Sequence, residues 1–150
     1  GAAQDRFWPA LSRALLERSI DLGPADIVNK VVTADALAIE GVGARIADVH
    51  PTVTRVWLER PTLRDDLHCG AGLFHETRIG GLDELPPLLP RKVQTVAHHG
   101  FAPSDLKQFL LRTRPAGIDR LVPVGSALDF EPRWDGIDLF EAFVRRVTVR

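Results

Sequence analysis

One stretch, residues 117–140, constrains the fold more than any other part of the chain: G-I-D-R-L-V-P-V-G-S-A-L-D-F-E-P-R-W-D-G-I-D-L-F. Leu121-Val122-Pro123-Val124 is a short apolar run closed by Gly125. It reads as a buried strand whose Pro123 lacks one ladder donor and so belongs at an edge or a strand end. Phe130 and Trp134 follow in an irregular segment, and aromatics of that size are expected to bury, either in the core or along a pocket. Trp134-Asp135-Gly136 is turn chemistry. Asp135 or Asp138 then opens a short helix over Leu139, Phe140 and Phe143.

The rest of the chain alternates helices of about ten residues with short strands, the pattern of βαβ units. Phe7, Trp8, Leu11, Ala14, Leu15 and Ile20 recur at helical spacing, with Asp5 as the expected cap and Pro9 in the first turn. Pro24 suits the first position of a second helix, whose apolar face is Ile27, Val28, Val31, Val32, Ala36, Leu37 and Ile39, closed by Gly41 and Gly43. Strands are expected over residues 45–49 and 52–58, separated by His50-Pro51, and a loop over 61–72. Further strands are expected over 73–79 and 93–97. Leu82 starts a short helix that Pro86-Pro87 must distort or end. Ser104 is expected to cap a helix carrying Leu106, Phe109, Leu110 and Leu111, stopped by Pro115 and Gly117, and Val147-Thr148-Val149 to form a terminal strand.

These elements predict an α/β fold with three α/β/α layers around a largely parallel sheet, in a single domain over residues 1–150. A chain of 150 residues buries about 68–70% of its unfolded surface, enough for a core without disulfides. Cys69 has no partner for an internal bridge, consistent with a reducing compartment. A net charge of −1 gives no electrostatic reason to expect nucleic acid or a membrane surface, and no apolar run is long enough to span one.

Chemistry-bearing residues are few. Cys69 in His68-Cys69-Gly70 reads as a small buried residue rather than a nucleophile, which would need a cationic neighbour or a helix N-terminus. His50, His68, His75, His98 and His99 match no zinc-ligand spacing, so no metal is expected. Gly125-Ser126-Ala127 lacks the outer glycines of a nucleophile elbow, and Gly41-Val42-Gly43 lacks a third glycine and follows a helix.

The string R-L-V-P-V-G-S-A-L-D-F-E-P-R-W-D-G-I-D-L resembles the C-terminal signature of the bioluminescence-type (LuxC-type) fatty acyl-CoA reductases, a branch of the aldehyde dehydrogenase superfamily. The resemblance extends through Lys92-Val93-Gln94-Thr95-Val96 and Gly72-Leu73-Phe74-His75-Glu76, and covers the first seventy residues only by pattern. It implies an aldehyde dehydrogenase catalytic-domain-like fold and an NADPH-dependent reduction of acyl-CoA to aldehyde through an enzyme cysteine thioester. It also implies a cytoplasmic homo-oligomer. In the family the nucleotide-binding domain and the nucleophilic cysteine precede the matched region, so no catalytic residue is expected within this chain. The Met-free sequence opening Gly1-Ala2-Ala3 leads to the same expectation, a piece of a longer protein.

Phe74 and Glu76, spaced by two on one strand face, are the implied cofactor-binding pair. The superfamily carboxylate precedes its phenylalanine, whereas Glu76 follows Phe74. Phe130 and Trp134 are the implied substrate-binding wall, where each buried CH₂ of an acyl chain contributes about 0.8 kcal/mol. The alternatives from other classes are a non-catalytic α/β interaction or assembly module, and a small metal-binding domain.

Overall fold

The computed structural model describes the backbone of residues 2–18, 20–50 and 52–150, and all of their side chains except those of residues 2, 3, 44 and 48–50. The protein is mixed α/β and forms two compact units, residues 1–78 and 79–150. Among the described residues no helix is long and apolar enough to cross a membrane.

In the first unit, α1 spans Ala2–Arg18 and α2 spans Pro24–Ile39. They precede a three-stranded sheet of β1 (Gly43–His50), β2 (Val53–Leu58) and β3 (Leu73–Glu76), in that order. β1 and β2 form an antiparallel hairpin, while β2 and β3 run parallel. A 3-10 turn, Asp65–Leu67, interrupts the loop before β3. The core is Ala34 and Leu37 of α2 against Val56, Leu58 and Leu73 of the sheet, with Val42, Leu67 and Cys69 packed around it. Glycine is required at Gly72, where φ is +75° and a Cβ would overlap the Thr52 carbonyl oxygen.

Two expectations for the helices need correction. Helix α1 starts at Ala2, so Pro9 lies inside it rather than in the first turn. The helix formers Ala2, Ala3 and Gln4 extend the helix by a turn, and Pro9 removes one internal hydrogen bond. In α2, Pro24 takes the first position as expected, and the Gly23 amide donates to Asp26 Oδ2 at 3.2 Å, one half of a capping box, since glycine has no side chain to return the bond. The residues that α2 buries, however, are Lys30, Ala34 and Leu37, of which Ala34 and Leu37 pack on the sheet. Ile27, Val28, Val31, Val32 and Ile39 stay exposed. Apolar residues occupy several faces of this helix, so their periodicity does not select one.

In the second unit, β4 (Thr95–His98), α3 (Pro103–Thr113) and β5 (Arg120–Pro123) form a βαβ unit with parallel strands. Pro123 ends β5, as its missing donor requires. Two 3-10 turns, Leu82–Glu84 and Pro86–Leu88, stand where the proline pair was expected to distort a helix. The cap of α3 is Ala102 with Pro103 at the first position, not Ser104, because proline is pre-organised for that position. Leu106 and Phe109 are buried, whereas Leu111 is exposed. Arg114 ends the helix in the left-handed conformation, one residue before Pro115.

A small hairpin follows, β6 (Arg133–Trp134) and β7 (Ile137–Asp138), turning on Asp135 and Gly136 at φ +49° and +80°. Positive φ at both central residues suits the Asp-Gly pair. Asp138, of the two aspartates considered, caps α4 (Leu139–Ala142): its Oδ1 accepts from the Phe140 and Glu141 amides at 3.0 and 3.3 Å. Two further expectations fail in this unit. Residues 144–150 form no strand, since Val147 and Val149 find no neighbouring strand to pair with and remain exposed. Phe130 is 77% exposed rather than buried.

Candidate functional site

Alternation along β3 turns Leu73 into the core and leaves Phe74 and Glu76 together on the opposite face. The same alternation on β2 buries Val56 and Leu58 and puts Arg55 and Trp57 on that opposite face. Trp8 of α1 closes over it. Its ring meets Phe74 edge-on at 5.3 Å and Phe7 edge-on at 5.0 Å, and the Arg55 guanidinium lies 4.4 Å over its face.

Glu76 is the hub. Its Oε2 accepts from Arg55 Nε at 2.9 Å and from Arg55 Nη2, and its Oε1 accepts from Trp8 Nε1 at 3.3 Å and from Gln4 Nε2. The Glu76 side chain is only 12% exposed, so its charge depends on these donors rather than on water. The carboxylate is thereby neutralised and oriented before any ligand arrives.

Beside it a cavity of about 380 Å³ is lined by Arg45, Ile46, Ala47, Arg55, Trp57 and Glu76. Arg45 covers the face of Trp57 at 5.6 Å. Two guanidinium groups and an indole face around one cleft suit a ligand that is both planar and anionic. Sequence reasoning found Phe74 and Glu76 on their shared face but missed Arg55, Trp8, Arg45 and Trp57. The spacing of Arg55 and Trp57 by two in an otherwise apolar strand was the available signal.

His75 points the other way, to the Leu67 side, with its ring edge-on to His68 at 6.1 Å. Burial pushes the His75 imidazole below its ordinary pKa, and the His68 and Arg64 charges push in the same direction. Arg64 bridges Asp66 and Glu40 at 2.7 Å each. Its hydrogen bond lowers the Asp66 carboxyl to about 2 and raises the Arg64 guanidinium. Cys69 packs beside the core, its thiol donating to the Gly70 carbonyl at 3.7 Å. Among the described residues no three His, Cys, Asp or Glu side chains converge on one point, and the His50 side chain lies outside them.

In the second unit Phe130 and Trp134 do come together, stacked at 6.2 Å and 22°. Trp134 is half-buried, and its ring lies 4.2 Å from the Arg120 guanidinium. Thr95 Oγ1 donates to Asp135 Oδ1 at 3.3 Å and holds the turn. An exposed phenyl ring backed by an indole is an apolar surface on which an acyl chain can lie. Compared with protein-family models, with curated proteins and with solved structures, the chain has no match.

Proposed function

We propose that this chain is the C-terminal part of the catalytic domain of a LuxC-type acyl-CoA reductase. In this reading it belongs to a cytoplasmic homo-oligomer with a three-layer α/β/α, aldehyde dehydrogenase-like fold. The observation that carries the reading is the string over residues 120–139, which resembles the family's C-terminal signature and whose Trp134 stacks with an exposed Phe130. Support also comes from Phe74 and Glu76, which share a strand face beside the basic, tryptophan-walled cavity.

In this reading the resemblance supplies the roles. A cysteine supplied by the preceding part of the protein would take the acyl group as a thioester and release CoA, and bound NADPH would supply the hydride that gives the aldehyde and frees the cysteine thiolate. Phe74 and the cleft beside Glu76 form one wall of the cofactor site. Glu76 acts there through its hold on Arg55, which keeps a cation at the edge of the cleft. Phe130 and Trp134 line the acyl chain, and no residue of this chain is the nucleophile.

Trp134→Ala in the complete protein tests the reading. Loss of a contact spanning two or three methylenes should lower kcat/KM for long-chain acyl-CoA about tenfold to seventyfold relative to short-chain acyl-CoA. An unchanged chain-length profile would return Trp134 to a purely structural role. A non-catalytic interaction module is the second reading, favoured by the exposed apolar residues Val28, Val31 and Val32 along α2.

A further inference from the structure

Arg120 opens β5 and is 9% exposed, yet among the described residues none of its three guanidinium nitrogens has a hydrogen-bond partner. A buried guanidinium presents five N–H donors in a planar fork and does not give up its proton. Buried polar groups are almost always paired, and a buried charge without a partner is among the least favourable arrangements in a protein. The compensation visible here is the face of Trp134 at 4.2 Å, which satisfies the charge in part and no donor.

The carboxylates of Asp119, the chain neighbour of Arg120, and of Asp135, next to Trp134, hydrogen-bond elsewhere. Asp119 accepts from Arg91 Nη1 at 2.8 Å, and Asp135 accepts from Thr95. The donors of Arg120 therefore remain open to an acceptor on a ligand.

We propose that Arg120 is the centre of a phosphate-binding site covered by the β6–β7 hairpin. A phosphate offers paired oxygens at the spacing of the guanidinium fork. Phe130 and Trp134, stacked at 6.2 Å, set a flat aromatic surface beside the charge, which matches a phosphate carried on a planar base. The cover is built to move. Its strands have two residues each, and the Arg133–Asp138 contact across it is long at 3.5 Å, with Arg133 exposed. Swinging Trp134 aside opens the guanidinium, and a bound phosphate replaces the ring as its partner. The site rests on this local geometry and not on the reductase reading.

Thermal unfolding and tryptophan fluorescence of the full chain test it, with AMP, inorganic phosphate and adenosine as probes. AMP and phosphate should each raise Tm by roughly 3–6 °C at ten times their dissociation constants and change the fluorescence, while adenosine does neither. Tighter binding of AMP than of phosphate identifies a nucleotide as the source, equal binding the free anion, and either supports the site. Arg120→Leu should melt no lower than the parent chain, because it removes an unpaired buried charge, and should lose both responses. Arg120→Lys keeps the charge without the fork and should bind about tenfold more weakly. The proposal is overturned by equal phosphate responses in the parent and Arg120→Leu, or by no response of the parent chain at millimolar phosphate. If Arg120→Leu fails to fold, unchanged affinity in Arg120→Lys overturns it as well.

Discussion

Replacing Glu76 with glutamine keeps the shape of the side chain and removes the charge around which one face of the first unit is organised. Arg55, with 24% of its side chain exposed, would lose its only carboxylate among the described contacts, and an amide would be set against the donors Gln4, Trp8 and Arg55. Breaking a buried ion pair from one side costs about 3–5 kcal/mol. The partial exposure of Arg55 reduces that to about 2–3 kcal/mol, or roughly 4–12 °C in Tm for a chain of this size. Thermal and urea unfolding followed by circular dichroism measure the loss. A double-mutant cycle of Glu76→Gln with Arg55→Leu isolates the pair and should give about 1–3 kcal/mol of coupling, the double variant being more stable than the two single losses summed predict. Stability of Glu76→Gln within about 0.5 kcal/mol of the parent would refute the reasoning and leave Glu76 free to serve a ligand directly.

Further outcomes follow from single features. Gly72→Ala should destabilise the first unit by more than about 2 kcal/mol or prevent its folding, measured by urea unfolding, because the site combines positive φ with a carbonyl in the way. His75 has a lowered pKa when folded, so its contribution is complete above the unfolded value near 6.5 and is lost as pH falls below it. Urea midpoints should therefore drop as pH falls below about 6.5, and His75→Phe should flatten that slope. Cys69→Ala should cost at most a few kcal/mol and, in the reductase reading, leave acyl-enzyme formation intact, as mass spectrometry of the trapped thioester would record.

Local chemistry was legible in the sequence at several positions where one residue type fixes the backbone. Pro24 opening α2, Pro123 ending β5 and the Asp135-Gly136 turn each follow from a restriction on φ or from a missing donor. Choices decided by tertiary neighbours were not legible. Val31 and Val32 look as suited to a core as Leu37, but α2 buries Lys30, Ala34 and Leu37, of which Ala34 and Leu37 pack on the sheet. Val147 to Val149 alternates like a strand and has nothing to pair with. At the candidate site, period-two alternation placed Phe74 beside Glu76. Nothing local linked Glu76 to Arg55, twenty-one residues earlier, or to Trp8, sixty-eight earlier. The aromatic residues Phe130 and Trp134 were found together, but the buried Arg120 under them was hidden as one polar residue at the head of an apolar strand.

Acyl transfer and reduction in the complete protein test the reductase reading most directly. Incubated with a labelled long-chain acyl-CoA, the protein should carry a thioester on a cysteine outside residues 1–150, and added NADPH should release the label as aldehyde. The 150-residue chain alone should do neither, since losing one member of a catalytic constellation already costs about 10⁴ in rate. Label on Cys69, or a complete protein that neither forms the thioester nor oxidises NADPH with any acyl-CoA, would contradict the account.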